Sequence, residues 1–199
     1  MKIFQTLLPL KFLKTMSNLI SELIPYATLA THVLTGALLL SVLAGGSGRR
    51  KVIRFVGENA LLLAFVTALS ATLGSLFYSE VIGYEPCVLC WWIRVFTFPL
   101  VAIFGLALYK KGRSSTDAAF AFATPLVILG FLVGFYFTYT TFGGASLLPC
   151  TAEGGACSKL FVNKFGYVTI PSMALTTSVI LLLISWVKKI YEKENSNSR

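Results

Sequence analysis

The sequence predicts an all-α membrane protein, a bundle of spanning helices, on three observations. Hydrophobic residues make up 56% of the 199 positions, charged residues only 13%, and the mean hydropathy is +0.77. A soluble domain carries roughly a quarter of its residues as charges, so that class is excluded. Apolar windows of the roughly 20 residues that a span requires occur five times, leaving little chain for any soluble domain. The basic residues, finally, collect in short runs beside those windows, as the positive-inside rule places them. The net charge of +9 therefore speaks for a membrane partner and against nucleic acid.

Residues 1 to about 20 set Lys2, Lys11 and Lys14 among Ile3, Phe4, Leu7, Leu8, Phe12 and Leu13, a pattern that predicts an interfacial amphipathic helix. The lysines interrupt the apolar region and no small-residue cleavage site follows, so a signal peptide is not expected. Ile24 to Ala44 is the first span, containing Pro25 and His32, the only histidine, which is expected to be a satisfied polar residue within the bundle. Gly45-Gly46-Ser47-Gly48 ends it, and Arg49, Arg50, Lys51 and Arg54 mark a cytoplasmic connection. Asn59 to Tyr78 is the second span, and Val88 to Tyr109 the third, with Pro99 as a kink that neighbouring helices must accommodate. Ala118 to Phe142 is the fourth, where Gly130 and Gly134 stand four apart and suit close helix packing. Pro171 to Val187 is the fifth.

Alternating five spans gathers four, three and four of the 17 Lys and Arg, at 49–54, 110–113 and 188–199, on one side. It puts all four cysteines on the other, in an oxidising space. Five spans also leave the basic N-terminal segment outside, so the alternative is a four-span protein in which 24–44 is re-entrant or peripheral.

Cys87-Val88-Leu89-Cys90 is where the chemistry concentrates. Pro86 suits a first helical position, which predicts a helix start with Cys87 in its first turn. Thiols at a helix N-terminus titrate low, and the thiolate is the nucleophile of disulfide exchange. Cys87, Cys90 and Arg94, at i, i+3 and i+7, share one face. Arg94 lies on the side away from the basic clusters. It is either a cation snorkelling to headgroups or a donor beside Cys90 for a thiolate and the oxygen of an electron acceptor. Trp91 and Trp92 suit the interfacial belt.

The second pair, Cys150 and Cys157, closes an eight-residue loop kept supple by Gly154 and Gly155. As a staple it would constrain the unfolded chain by only about 2.5 kcal/mol. Beside the first pair, a redox role is favoured, because exchange needs a mobile exposed pair to relay to a fixed one. A zinc site from the two pairs is the lesser reading, given the six-residue gap and the oxidising face; no metal is expected.

The run Pro86 to Cys90 with Arg94, then Pro149-Cys150 and the stretch from Cys157 through Tyr167-Val-Thr-Ile-Pro-Ser-Met-Ala-Leu175, resembles the DsbB family of membrane disulfide oxidoreductases, in its BdbC-type branch. The resemblance covers about residues 56–190. It implies a four-helix transmembrane bundle of DsbB type, to which residues 1–55 add an extension with one extra span and 191–199 a cytoplasmic tail. It implies a protein-disulfide:quinone oxidoreductase of the bacterial cytoplasmic (inner) membrane, with ubiquinone or menaquinone as cofactor and a thioredoxin-fold, DsbA-like thiol oxidase as partner. On that resemblance Cys90 faces the quinone with Arg94 beside it and Cys87 is its disulfide partner. Cys150 would exchange with the thiol oxidase, and Cys157 would link back to Cys87 during turnover. Two departures are the extra residues 1–55 and the closeness of the second pair. The other readings are a quinone reductase of the vitamin K epoxide reductase type and a non-catalytic scaffold with a structural loop disulfide.

Overall fold

The computed structural model describes residues 10–43, 47–110, 112–144 and 165–196, with side chains from Leu19 onward, Ser47 excepted. It contains six α-helices: α1 Leu10–Leu43, α2 Ser47–Glu58, α3 Ala60–Leu76, α4 Val88–Lys110, α5 Arg113–Thr141 and α6 Ile170–Ser196. A single π-helical turn, Phe77–Val81, extends α3. Five of these helices are long and apolar enough to cross a membrane.

α3 to α6 form the bundle, with α3 on α4, α4 on α5, α5 on α6 and α6 back on α3. Ala60, Ala64 and Ala68 recur every fourth residue on α3 and are buried, so its backbone approaches its neighbours closely. They meet Leu100 and Phe104 of α4, Phe120 and Val127 of α5, and Leu181 and Ile184 of α6. The rings of Phe104 and Phe120 lie 5.4 Å apart. Gly130 and Gly134 do serve packing. A methyl on Gly130 would touch Phe96 and Ser178, and one on Gly134 would lie 3.4 Å from the Leu175 Cα.

Three features depart from the sequence expectation. From Leu10 onward the expected interfacial segment and the first span are one continuous helix, α1, roughly 51 Å long at 1.5 Å per residue; residues 1–9 lie outside the described residues. Pro25 sits buried inside it without ending it. The basic connection at 49–54 is the helix α2, whose Ile53 and Val56 pack with Val42 and Val187, while Arg49 pairs with Glu194 at 3.0 Å. The expected domain boundary at 55/56 thus falls inside α2. The second span, lastly, continues past Tyr78 through the π turn to Val81.

α1 runs beside α6 in the same direction. Tyr26 meets Phe165 edge-on near the start of α6, and Val42 packs on Val187 near its end. His32 is half-buried, its Nε2 2.6 Å from Thr176 Oγ1 and its ring stacked on Tyr167. This is the satisfied polar residue expected. α1 is therefore one unbroken helix alongside the bundle, long and apolar enough to cross a membrane, although apart from α2 it touches the rest only sparsely.

The ends of the bundle differ chemically. Arg49, Arg50, Lys51 and Arg54 of α2 share one end with Lys188, which bonds Asp117 near the start of α5 at 2.6 Å and Glu192 at 2.5 Å. The start of α4, with its two cysteines, lies roughly 35 Å away at the far end of that 23-residue helix. α6 begins there too, capped reciprocally: Thr169 N–H donates to Ser172 Oγ at 2.8 Å and Ser172 N–H to Thr169 Oγ1 at 3.3 Å.

Candidate functional site

The π turn and Gly83 deliver the chain to the site. Ile82 N–H reaches back five residues to Phe77 O, and Tyr84 N–H bonds Tyr78 O. Gly83 then takes φ 85°, a left-handed conformation that a side chain would strain. The irregular stretch that follows ends at Pro86, and α4 starts at Val88.

Cys87 is thus the residue before the helix, not within its first turn as expected. Its carbonyl accepts the first helical bond, from Trp91 N–H at 3.1 Å, and its Sγ receives Cys90 N–H at 3.4 Å. That is the position and the bond of an N-cap, with sulfur in place of the usual oxygen. The helix N-terminus favours negative charge on an atom so placed. The Sγ atoms of Cys87 and Cys90 are 3.2 Å apart, Cys87 buried and Cys90 half-buried, packed with Leu89, Phe137, Val133 and Tyr136.

Arg94 lies one turn on and is buried, 8% exposed. Its guanidinium is turned onto α3. Nε–H donates to Ser75 Oγ at 2.9 Å and Nη2–H to the Ser75 carbonyl at 3.1 Å, and its carbon sits 5.3 Å from the Trp91 ring. An arginine has five N–H donors in a rigid fork, so Ser75 fixes one edge and leaves the others for an acceptor. Trp91 and Trp92 are over half exposed, as belt residues are.

Cys87, Cys90 and Arg94 all line one cavity of about 630 Å³, within the range typical of cofactor sites. Tyr78, missed in the sequence, lines it as well. Its hydroxyl is buried and has no hydrogen-bond partner among the described residues. The cavity is thus largely apolar and brings together a close sulfur pair, a fixed cation and a buried hydroxyl. Ser75 was also missed, because nothing local marks a serine nineteen residues from the arginine it holds. Cys150 and Cys157 lie outside the described residues.

A family model described as disulfide bond formation protein DsbB matches residues 57–188. Among curated proteins, the chain is 38% identical over 128 residues to a "Probable disulfide formation protein" of Metapseudomonas resinovorans, covering 63% of this chain and 86% of that one. It is 39% identical over 137 residues to a protein of the same name from Oceanobacillus iheyensis, covering 64% and 86%. To "Disulfide bond formation protein C" of Bacillus subtilis it is 32% identical over 131 residues, covering 65% and 91%. No solved structure matches the chain. The matched residues take in α3 to α6 and with them Cys87, Cys90 and Arg94, and the chain belongs to the DsbB family.

Proposed function

We propose that this protein is a membrane thiol-disulfide oxidoreductase that reoxidises an extracytoplasmic thioredoxin-fold thiol oxidase and passes the electrons to a quinone, ubiquinone or menaquinone. The observation that carries this reading is the opening of the Cys87–Cys90 pair, with Arg94 beside it, onto one apolar cavity. Membership of the family supports a role in disulfide bond formation.

In the reaction, the partner's dithiol reduces a Cys150–Cys157 disulfide and leaves as a disulfide. The loop dithiol then reduces the Cys87–Cys90 disulfide by exchange through a Cys157–Cys87 mixed disulfide. A bound quinone would supply a sink for two electrons and two protons. Cys90, half-buried at the cavity, is the sulfur that faces the acceptor, and its oxidation back to the disulfide with Cys87 releases those electrons and protons. The cap position of Cys87 holds its sulfur where a thiolate is favoured between the two steps. Arg94, held by Ser75, donates to the acceptor oxygen as charge builds there. The apolar walls exclude water from the pair.

The protein divides, on this reading, into an N-terminal extension over 1–55, a redox unit over 56–190 and a cytoplasmic tail over 191–199. It sits in the bacterial cytoplasmic membrane with the cysteines outside, because the basic ends of α2, α4 and α6 belong inside. The test mixes purified protein with a reduced thioredoxin-fold oxidase and quinone and follows quinone absorbance. Reduction is expected for the wild type and none for Cys90→Ser. Absence of reduction by the wild type across several oxidases and both quinone types would sink the proposal.

A further inference from the structure

The cavity at Cys90 does not stop at the redox pair. It continues as a groove between α1 on one side and α3, α4 and α6 on the other, past Thr31, Leu38 and Val42 to Val56 and Val187 beside α2. From Ile24 to Val42 this wall rises roughly 27 Å, close to the hydrocarbon thickness of a bilayer. α1 lies wholly outside the residues that match the family, so this wall is an addition of this chain.

We infer that α1 roofs a binding channel for the polyprenyl tail of the quinone whose ring meets Cys90 and Arg94. This rests on the quinone reading above. Two observations select that occupant. The groove is continuous with the cysteine pair, so a molecule with its ring there finds a path for an apolar tail along α1. Five of the hydroxyls that line the groove beyond its polar end are also bonded within their own helices. Thr28 and Thr31 donate to the Ile24 and Ala27 carbonyls at 2.9 and 2.7 Å, Thr67 to Leu63 O at 2.7 Å, and Thr176 and Thr177 to Ser172 O and Met173 O at 2.8 and 3.1 Å. Their hydroxyl protons are satisfied within their own helices, which leaves a wall suited to branched hydrocarbon. α1 is held in place by the His32 contact to Thr176, by Tyr26 on Phe165 and by Val42, and Leu23, Val33 and Leu40 on its other side are exposed to lipid.

The test has two arms, both on the full chain. In the first, Leu38→Trp and Thr31→Trp narrow the groove far from the cysteines, and KM is measured for short-tailed and long-tailed quinones. A rise of tenfold or more for the long tail, with the short-tailed quinone unchanged, is expected. Equal changes for both tails, or none, overturn the inference. In the second arm, p-benzoylphenylalanine placed at position 38 is photolysed in vesicles containing long-tailed quinone, and the adduct is identified by mass spectrometry. An adduct to the quinone tail supports the channel and an adduct to phospholipid alone overturns it. This arm needs no turnover, so a wild type that reduces no quinone would defeat the acceptor proposal while the adduct still decides the groove.

Discussion

Ser75→Ala isolates the grip on Arg94. The substitution removes the Nε–H···Oγ bond of 2.9 Å and keeps the 3.1 Å bond to the backbone carbonyl and the Trp91 stacking. A hydrogen bond to a charged group contributes about 1.5–3 kcal/mol, and with half the grip retained the lower figure applies. At ~1.4 kcal/mol per tenfold, KM for quinone should rise about tenfold. Arg94→Lys should cost more, roughly a hundredfold, because one ammonium cannot hold both Ser75 oxygens and still present a donor to the cavity. The assay pairs steady-state quinone reduction with single-turnover exchange against reduced thiol oxidase in the absence of quinone. Only the first should change. A wild-type KM in both variants, or an equal loss in the exchange step, would refute the assignment of Arg94 to the acceptor.

Three further outcomes follow from the packing. Cys87→Ser should abolish quinone reduction yet shift stability by less than about 1 kcal/mol in detergent melts, since serine caps a helix well. Gly134→Ala should leave thermal stability close to wild type, because the ~1 kcal/mol helical preference of alanine offsets a 3.4 Å contact with Leu175, whereas Gly134→Leu should cost about 3 kcal/mol by forcing α5 off α6. Lys188→Met should cost under about 1 kcal/mol in the same melts, while Asp117→Ala combined with Glu192→Ala should cost about 3 kcal/mol by stranding an ammonium whose side chain is only 9% exposed.

The spans could be read from the sequence because a membrane helix announces itself by length and apolarity alone; three of the four in the bundle end within a few residues of the expected positions, while α6 runs nine residues past Val187 to Ser196. What failed was local punctuation. α1 runs through Pro25, because a proline removes one hydrogen bond without obliging a membrane helix to end. The basic cluster at 49–54 concealed an amphipathic helix, because its few apolar residues, Ile53 and Val56 among them, become meaningful only once α6 is there to receive them. At the site, Cys87, Cys90 and Arg94 were legible since they share a helical period. Ser75, Tyr78 and the α1 wall were not, because each joins the cavity through tertiary packing between distant segments.

The π turn at Phe77–Val81 amounts to one surplus residue inserted into a helical ladder. A residue advances a helix by about 100° of rotation, so this insertion sets the compass bearing at which α3 releases the chain toward Gly83 and Cys87. Loops elsewhere in the protein can change length and merely sag or tighten. Here, losing a single residue would restore the regular ladder and swing Tyr84 to Pro86 by about that angle, away from the cavity they line, while every helix stayed folded. Sequence length between Leu76 and Cys87 is therefore under a constraint of phase.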